Sequence, residues 1–139
     1  MTFRRRIGAW GIGCDAQGTV SAEMSCTPSS GTLPFSSFFQ VAMTNNYSDQ
    51  ARRFQYTINV TLAGGQYYSN WRRGWQNVMA GQSYRRQWWQ EIPGWSSLEG
   101  GNFFELVIAD VTPPPYNLPP YPPAGDIDTD SCMVTGVAP

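Results

Sequence analysis

The chain has 139 residues, enough for one domain with a single hydrophobic core. It contains neither histidine nor lysine, which excludes a Ser-His-Asp triad, a histidine metal cage, a P-loop lysine and Schiff-base chemistry. Because these catalytic side chains are absent, we expect a protein that is not an enzyme. Its formal net charge of −1 does not favour binding to nucleic acid, so we expect no nucleic-acid partner.

The N-terminal segment, residues 1–18, is predicted to be an extended arm ahead of a domain over residues 19–139. Its apolar stretch, Ile7 to Gly13, has seven residues, three of them glycine. That is at the short limit of a signal-peptide core and far below the roughly 20 residues needed to cross a bilayer. We therefore expect no transmembrane span, and either a retained arm or the remnant of a processed signal.

The rest of the chain alternates apolar and polar residues with a period of two, which is typical of half-buried β-strands. The clearest example is residues 53–62, where Phe54, Tyr56 and Ile58 alternate with polar neighbours. About seven strands are predicted, at residues 19–26, 39–44, 53–62, 67–71, 83–92, 103–109 and 132–137. Residues 77–82 carry a further short run with a turn at Ala80-Gly81. This spacing indicates a two-sheet sandwich.

A proline-rich stretch, VTPPPYNLPPYPPAG, separates the last two predicted strands and contains seven prolines. Proline cannot donate to a β-ladder and imposes extended geometry, so a stiff loop is expected here. Its prolines, with Tyr116 and Tyr121, are expected to brace the end of the sandwich. The alternative is a PxxP-type ligand for an aromatic groove.

Several of these segments resemble a known family. They read SGTLPFSSFFQVAMTNNYSDQARRFQYTINVTLAGGQYYSNW, VMAGQSYRRQWWQEIPGW, GGNFFELVIADVTPPPYN and DTDSCMVTGVAP. The pattern resembles immunoglobulin-like or fibronectin-III-like domains of secreted bacterial surface proteins. The resemblance implies an all-β, single immunoglobulin-like antiparallel sandwich of about seven strands. It also implies a location outside the cell or on its surface, and a role as spacer, adhesin or assembly unit. Similar sandwiches decorate phage virions, and the Cys, Trp, Cys spacing of antibody domains is absent.

Three cysteines are present, Cys14, Cys26 and Cys132, without a CxxC motif. Cys26 and Cys132 lie in alternating runs near the two ends of the domain, so both can face inward from the first and last strands. We predict a disulfide between them, which requires an oxidising compartment or a particle surface. Two buried free thiols in a cytosolic protein are the alternative. Cys14 is left over, either free or intermolecular.

Charge is distributed unevenly along the chain. Residues 49–91 carry six arginines against two carboxylates, whereas residues 92–139 carry six carboxylates and no arginine. Either the strands mix these charges in space, or the two segments meet between neighbouring copies, head to tail. Within the acidic segment, Asp126, Asp128 and Asp130 alternate, so they are candidate oxygen ligands for calcium, and no other cofactor is expected. The alternative is a solvated acidic turn.

Two Arg pairs lie among tryptophans in this sequence. Because Trp and Arg are enriched at interface centres, we predict a self-association or ligand face there. Its residues are Trp71, Arg72, Arg73, Trp75, Arg85, Arg86 and Trp89. Adjacent Trp88 and Trp89 should point to opposite sides of one strand, one into the core and one outward. Asn46 and Asn59 lie in N-x-Ser/Thr patterns and are candidate glycosylation sites.

These features predict a non-enzymatic extracellular structural protein. It is expected to form a homo-oligomer or polymer, as a filament, surface layer or shell, through its N-terminal arm and its Arg/Trp residues. One alternative is a carbohydrate-binding or adhesion module whose exposed tryptophans stack on a glycan ligand. Another is a structural or decoration protein of a phage virion.

Overall fold

The computed structural model describes residues 18–139, and this part of the chain is all-β, as predicted. Eight strands are present, together with a short 3-10 helix at Ser96–Leu98. The strands are β1 (Val20–Thr27), β2 (Ser30–Thr32), β3 (Phe35–Asn45), β4 (Arg52–Thr61), β5 (Tyr67–Val78), β6 (Ser83–Ile92), β7 (Gly100–Asp110) and β8 (Ile127–Val137).

The strands form two sheets that pack as a β-sandwich. The three-stranded sheet has the order β1-β3-β6, and the five-stranded sheet has the order β2-β8-β7-β4-β5. All pairings are antiparallel except that of β2 with β8. The chain changes sheets between β5 and β6, so these consecutive strands lie at the edges of different sheets.

The apolar residues of the predicted alternating pattern form the core. On β4, Phe54, Ile58 and Val60 are buried and Tyr56 packs partly buried against the same core, while the odd-numbered residues face outward. On β3, the ring of Phe39 is fully buried and packs edge-on against Phe104 of β7, with ring centroids 4.8 Å apart. Burying an aromatic side chain of this size contributes roughly 1.5–3 kcal/mol, so this contact between the sheets is a centre of the core.

The predicted disulfide is confirmed and joins the two sheets. Cys26 of β1 and Cys132 of β8 are bonded, with their Cα atoms 6.1 Å apart and a sequence separation of 106 residues. Cys14, like the predicted N-terminal arm before Gly18, lies outside the described residues.

The proline-rich connection between β7 and β8 is fastened to the sandwich by Arg52, whose exposed fraction is 1%. An arginine side chain has five N–H donors, and all five donate here. The acceptors are Asp110 Oδ2 (3.0 Å), Gln50 Oε1 (2.9 Å) and the backbone oxygens of Tyr116 (2.7 Å), Pro122 (2.9 Å) and Pro123 (3.3 Å). Three of these acceptors belong to the loop, so Arg52 holds two stretches of the loop against β4.

Some strand boundaries differ from the predicted ones. Residues 67–78 form one strand of 12 residues rather than two short runs. Its register with β4 shifts at a bulge, where Asn70 has a φ of 55°. The bulge adds residues to β5 and shifts which of its positions face inward. Apolar and polar residues therefore do not alternate regularly in this part of the sequence. The three-residue β2 was not predicted, and β8 begins at Ile127 rather than at residue 132.

No helix in residues 18–139 is both long enough and apolar enough to span a membrane.

Candidate functional site: the open side of the sandwich

On one side of the sandwich, the edge of β1 is sealed by side chains from the opposite sheet. β1 is an edge strand of the three-stranded sheet. Its outward N–H groups at Ala22 and Met24 donate to Asp128 Oδ2 (2.7 Å) and Asp130 Oδ2 (2.8 Å). Just before β1, the N–H of Thr19 donates to Asp126. These carboxylates occupy the donors that another strand would use, so this edge is closed to strand addition.

This geometry contradicts the interpretation of the acidic segment as a solvated turn. Asp126, Asp128 and Asp130 do not lie in a solvated turn, because the first two are buried and all three face β1. Within residues 18–139, no group of three or more acidic, cysteine or histidine side chains is gathered as a metal site, and calcium binding by these aspartates stays a prediction. Together with Cys132, which forms the disulfide, these aspartates are alternate residues and therefore lie on the same side of the strand.

The acidic residues of the C-terminal third are therefore not a free complement to the arginines. Asp110, Asp126 and Asp128 are buried. Asp110 forms the only ion pair between residues of the described part, with Arg52, and also accepts from Thr112 and Thr19. Of the six carboxylates of this segment, Glu99 is exposed and Glu105 and Asp130 are partly exposed, so a head-to-tail contact with a basic segment would have only these three to use.

The opposite side of the sandwich, here called the open side, has two free strand edges. β5 and β6 end their respective sheets, and no described strand pairs with their outer sides. In the β1–β3–β6 register, Met24, Val41 and Arg86 lie side by side. Because the N–H of Met24 points away from β3, strict alternation directs the N–H of Arg86 toward β3. The flanking residues, Arg85 and Gln87, and the other odd-numbered residues of β6 therefore present their backbone groups to the free edge.

A cleft lined by aromatic residues lies between these two edges. Trp71 reaches inward beside the β5 bulge, and its ring lies 5.5 Å from that of Phe104 and 6.4 Å from that of Phe39. The guanidinium of Arg72 lies over Trp71 at 4.7 Å and over Trp88 at 5.8 Å, so it bridges the two strands. This stacking places a cation at the mouth of the cleft.

The part of the cleft between Tyr68 and Trp95 has a volume of about 280 Å³. Core side chains such as Leu62 and Ile92 form its floor, and Tyr68 and Trp95 stand at its rim. Trp95 is 67% exposed. The apolar core is thus accessible from the open side of the molecule.

Two tryptophans of residues 18–139, Trp75 and Trp89, lie on the two outer faces. Trp75 is 62% exposed on the five-stranded sheet, where Arg53 lies over its ring at 5.0 Å. Trp89 is 66% exposed on the three-stranded sheet and packs beside Phe38, with ring centroids 5.1 Å apart. Its neighbour Trp88 is partly buried against the core, so the two adjacent tryptophans point to opposite sides, as predicted.

The structure therefore does not bring the predicted Arg/Trp residues onto one face. Trp71, Arg72 and Arg86 lie at the cleft. Arg73 and Trp75 lie on the outer face of the five-stranded sheet, and Arg85 and Trp89 lie on the outer face of the three-stranded sheet. All seven lie on β5 or β6, the two edge strands on this side of the sandwich.

Five arginines surround this side without a neutralising carboxylate. They are Arg53, Arg72, Arg73, Arg85 and Arg86, and none forms an ion pair with a carboxylate within residues 18–139. Arg72 and Arg86 instead make long contacts to Gln90 Oε1 and Tyr56 Oη, both at 3.4 Å. The open side therefore carries excess positive charge.

The two glycosylation candidates differ in their surroundings. Asn46 Nδ2, the atom to which a glycan would be attached, donates to Gly18 O (3.0 Å) and Ser21 Oγ (2.9 Å), so both of its N–H groups are used. Asn59 lies on the outer face of β4 and accepts from the N–H of Asn70 through Oδ1 (3.0 Å). Of the two candidates, Asn59 is the one whose side-chain nitrogen makes no hydrogen bond within residues 18–139.

Sequence reasoning missed Arg52, the buried centre of the proline-rich end. A signal was present. Phe54, Tyr56 and Ile58 mark the even-numbered positions of β4 as inward-facing, and Arg52 has the same parity. A charged residue at an inward position indicates a buried partner, here Asp110.

Comparison with known proteins gives little beyond this architecture. No protein-family model matches the chain, and no curated protein matches it. Among solved structures, the chain is similar to Spo0M, a sporulation control protein from Bacillus subtilis. The TM-score is 0.45 and the sequence identity 10%, over 88% of this chain and 51% of the Spo0M chain. The chain thus spans about half the length of that protein.

Proposed function

We propose that this chain is a non-enzymatic structural protein that self-associates through the open side of its sandwich. The observation that carries the proposal is an asymmetry between edges. The β1 edge is closed by carboxylates, whereas β5 and β6 are free and carry exposed Trp75 and Trp89. Free edges are templates for pairing with another chain unless they are covered or blunted. A building block of a filament, layer or shell uses such edges.

The proposal includes an immunoglobulin-like topology, and the strand order supports it. If β1, β3 and β6 are named A, B and E, then β4, β5, β7 and β8 take the names C, C′, F and G. The sheets then read A-B-E and G-F-C-C′, a variant of the arrangement of such domains. The disulfide joins A to G here, whereas antibody domains join B to F.

An extracellular location, or one on a particle surface, is part of the same proposal. It is supported by the disulfide between Cys26 and Cys132, because such bonds persist in oxidising surroundings and are rare in the cytosol.

Light scattering of the full chain over a range of concentrations, at low and high salt, tests the proposal. We expect masses above the 15.5 kDa of one chain at high concentration. Salt should change the association, because the five arginines of the open side are exposed to screening. Removing residues 1–12 in a parallel sample measures the contribution of the predicted arm. A 15.5 kDa species at every concentration and salt would overturn the proposal.

A second candidate function is carbohydrate binding, and the exposed indoles favour it. Trp75, Trp89 and Trp95 each expose more than 60% of their surface. Flat indole faces pack against the apolar C–H faces of sugar rings. Binding to a glycan array that is lost in Trp95→Ala but kept in Met133→Ala, a variant at another exposed apolar side chain, would favour this function.

A further inference from the structure

The β6 strand carries a self-complementary sequence centred on Gln87. Two arginines precede this residue, Arg85 and Arg86, and two tryptophans follow it, Trp88 and Trp89. If two such strands pair antiparallel about a two-fold axis at Gln87, each Arg85 lies opposite the Trp89 of the other copy. Each Arg86 likewise lies opposite a Trp88. We infer that two copies of this chain join through their β6 edges in this register. The inference rests on the proposed function and names its contact.

The backbone of β6 suits this register. Arg85, Gln87 and Trp89 present their N–H and C=O groups to the free edge, by the alternation established from Met24. In the inferred pairing these same residues face one another, with Gln87 opposite Gln87. Antiparallel strands form hydrogen-bonded pairs only between residues whose backbone groups both point at the partner strand. The self-complementary side chains and the available backbone groups therefore coincide.

On the outer face of the paired strands, an arginine without an ion pair in the single chain gains an aromatic partner from the other copy. Arg85 and Trp89 are both exposed there, and Arg85 has no ion pair within residues 18–139. Opposite residues in such a pair have Cβ atoms about 4.5–5.5 Å apart, close enough for a guanidinium to stack on an indole. Glu91, on the same face, lies diagonally from Arg85 of the other copy, within reach of a long side chain.

Other two-fold registers are less favourable. An axis at Arg85 or Arg86 places that arginine directly opposite itself, and like charges facing each other across strands are destabilising. An axis at Trp88 pairs Arg85 with Glu91, but it places Arg86 opposite Gln90, which already accepts from Trp88 Nε1 at 3.1 Å, and it leaves no arginine opposite an aromatic ring. The register centred on Gln87 gives all four arginines of the seam an aromatic partner.

Cysteine crosslinking tests the register directly. In a Cys14→Ser background, Gln87→Cys places two thiols opposite each other across the axis. Their Cα atoms would be about 5.5 Å apart, a separation that a disulfide spans. We expect a covalent dimer under mild oxidation. Arg85→Cys and Trp89→Cys are matched controls on the same face of the same strand. Each lies ~14 Å from its own copy in this register, too far to crosslink alone. Combined in one chain, they should crosslink to each other.

A second variant tests whether the β6 edge is needed for association, without forming a disulfide. Gln87→Pro removes an edge-facing N–H and leaves the pairing of β6 with β3 intact, a position at which strands tolerate proline. We expect its dissociation constant to rise at least tenfold over that of Gln87→Ala, with circular dichroism showing that both variants are folded. If the native chain associates but Gln87→Cys does not crosslink and Gln87→Pro associates normally, the β6 contact is wrong and the proposed function stands. If the native chain is a monomer throughout, both are overturned.

Discussion

Replacing Arg52 by Met tests the buried centre that holds the proline-rich end. Methionine retains much of the apolar stem but removes the charge and all five donors. Asp110 then stays buried without its cation, although Thr112 and Thr19 still donate to it. Breaking a buried pair by removing one partner costs about 3–5 kcal/mol. At roughly 3 °C per kcal/mol for a domain of this size, Tm should fall by ~10–15 °C.

The matched control is Arg53→Met, one residue along the chain. Arg53 is half exposed, stacks on Trp75 and contacts Asn77 Oδ1 at 3.3 Å. Exposed contacts of this kind contribute about 1 kcal/mol or less. Thermal unfolding and urea titration of both variants give the comparison. If Arg52→Met is no less stable than Arg53→Met, the role assigned to Arg52 is refuted.

Three further changes test other parts of the sandwich. Asp128→Ala removes the carboxylate that accepts from the N–H of Ala22 and should cost about 1–3 kcal/mol in urea unfolding. Glu105→Ala, on the outer face, should stay within about 0.5 kcal/mol, and equal effects would contradict the sealed β1 edge. Cys132→Ser opens a loop whose closure is worth about 4–5 kcal/mol in the chain-entropy model, so its Tm should drop sharply, and an unchanged Tm would argue against the bond. Asn102→Ala removes a buried amide bonded to β8, to the 3-10 helix and to the segment after β4. It should cost about 1–3 kcal/mol by thermal unfolding, and an effect below about 0.5 kcal/mol would show that water replaces those bonds.

The parts of the fold that depend on local alternation could be predicted from sequence. The parity of Phe54, Ile58 and Val60 on β4 is a property of neighbouring residues, and the structure buries all three. The pairing of Cys26 with Cys132 followed from the same argument, because each lies on the inward side of its strand. Where a bulge changed the parity, as at Asn70, the predicted strand broke.

The features that depend on strand order could not be predicted in this way. Asp128 looks like a residue of an acidic turn until β8 is placed beside the edge of β1, where its carboxylate meets a backbone N–H. The separation of Trp75 from Trp89 has the same cause, since β5 and β6 are consecutive in sequence but belong to different sheets. Periodicity reports which side of a strand a residue occupies, and it carries no information about the sheet that the strand joins.

Amide hydrogen exchange at two protein concentrations tests the central claim, that the open β6 edge is where copies of the chain meet. In dilute solution, the N–H groups of Arg85, Gln87 and Trp89 should exchange rapidly, while that of Arg86 is protected by β3. In concentrated solution, the three edge amides should become protected together, and the amides of β1 should not change. Edge amides that exchange at the same rate at both concentrations, in a sample that light scattering shows to be associated, would contradict the account.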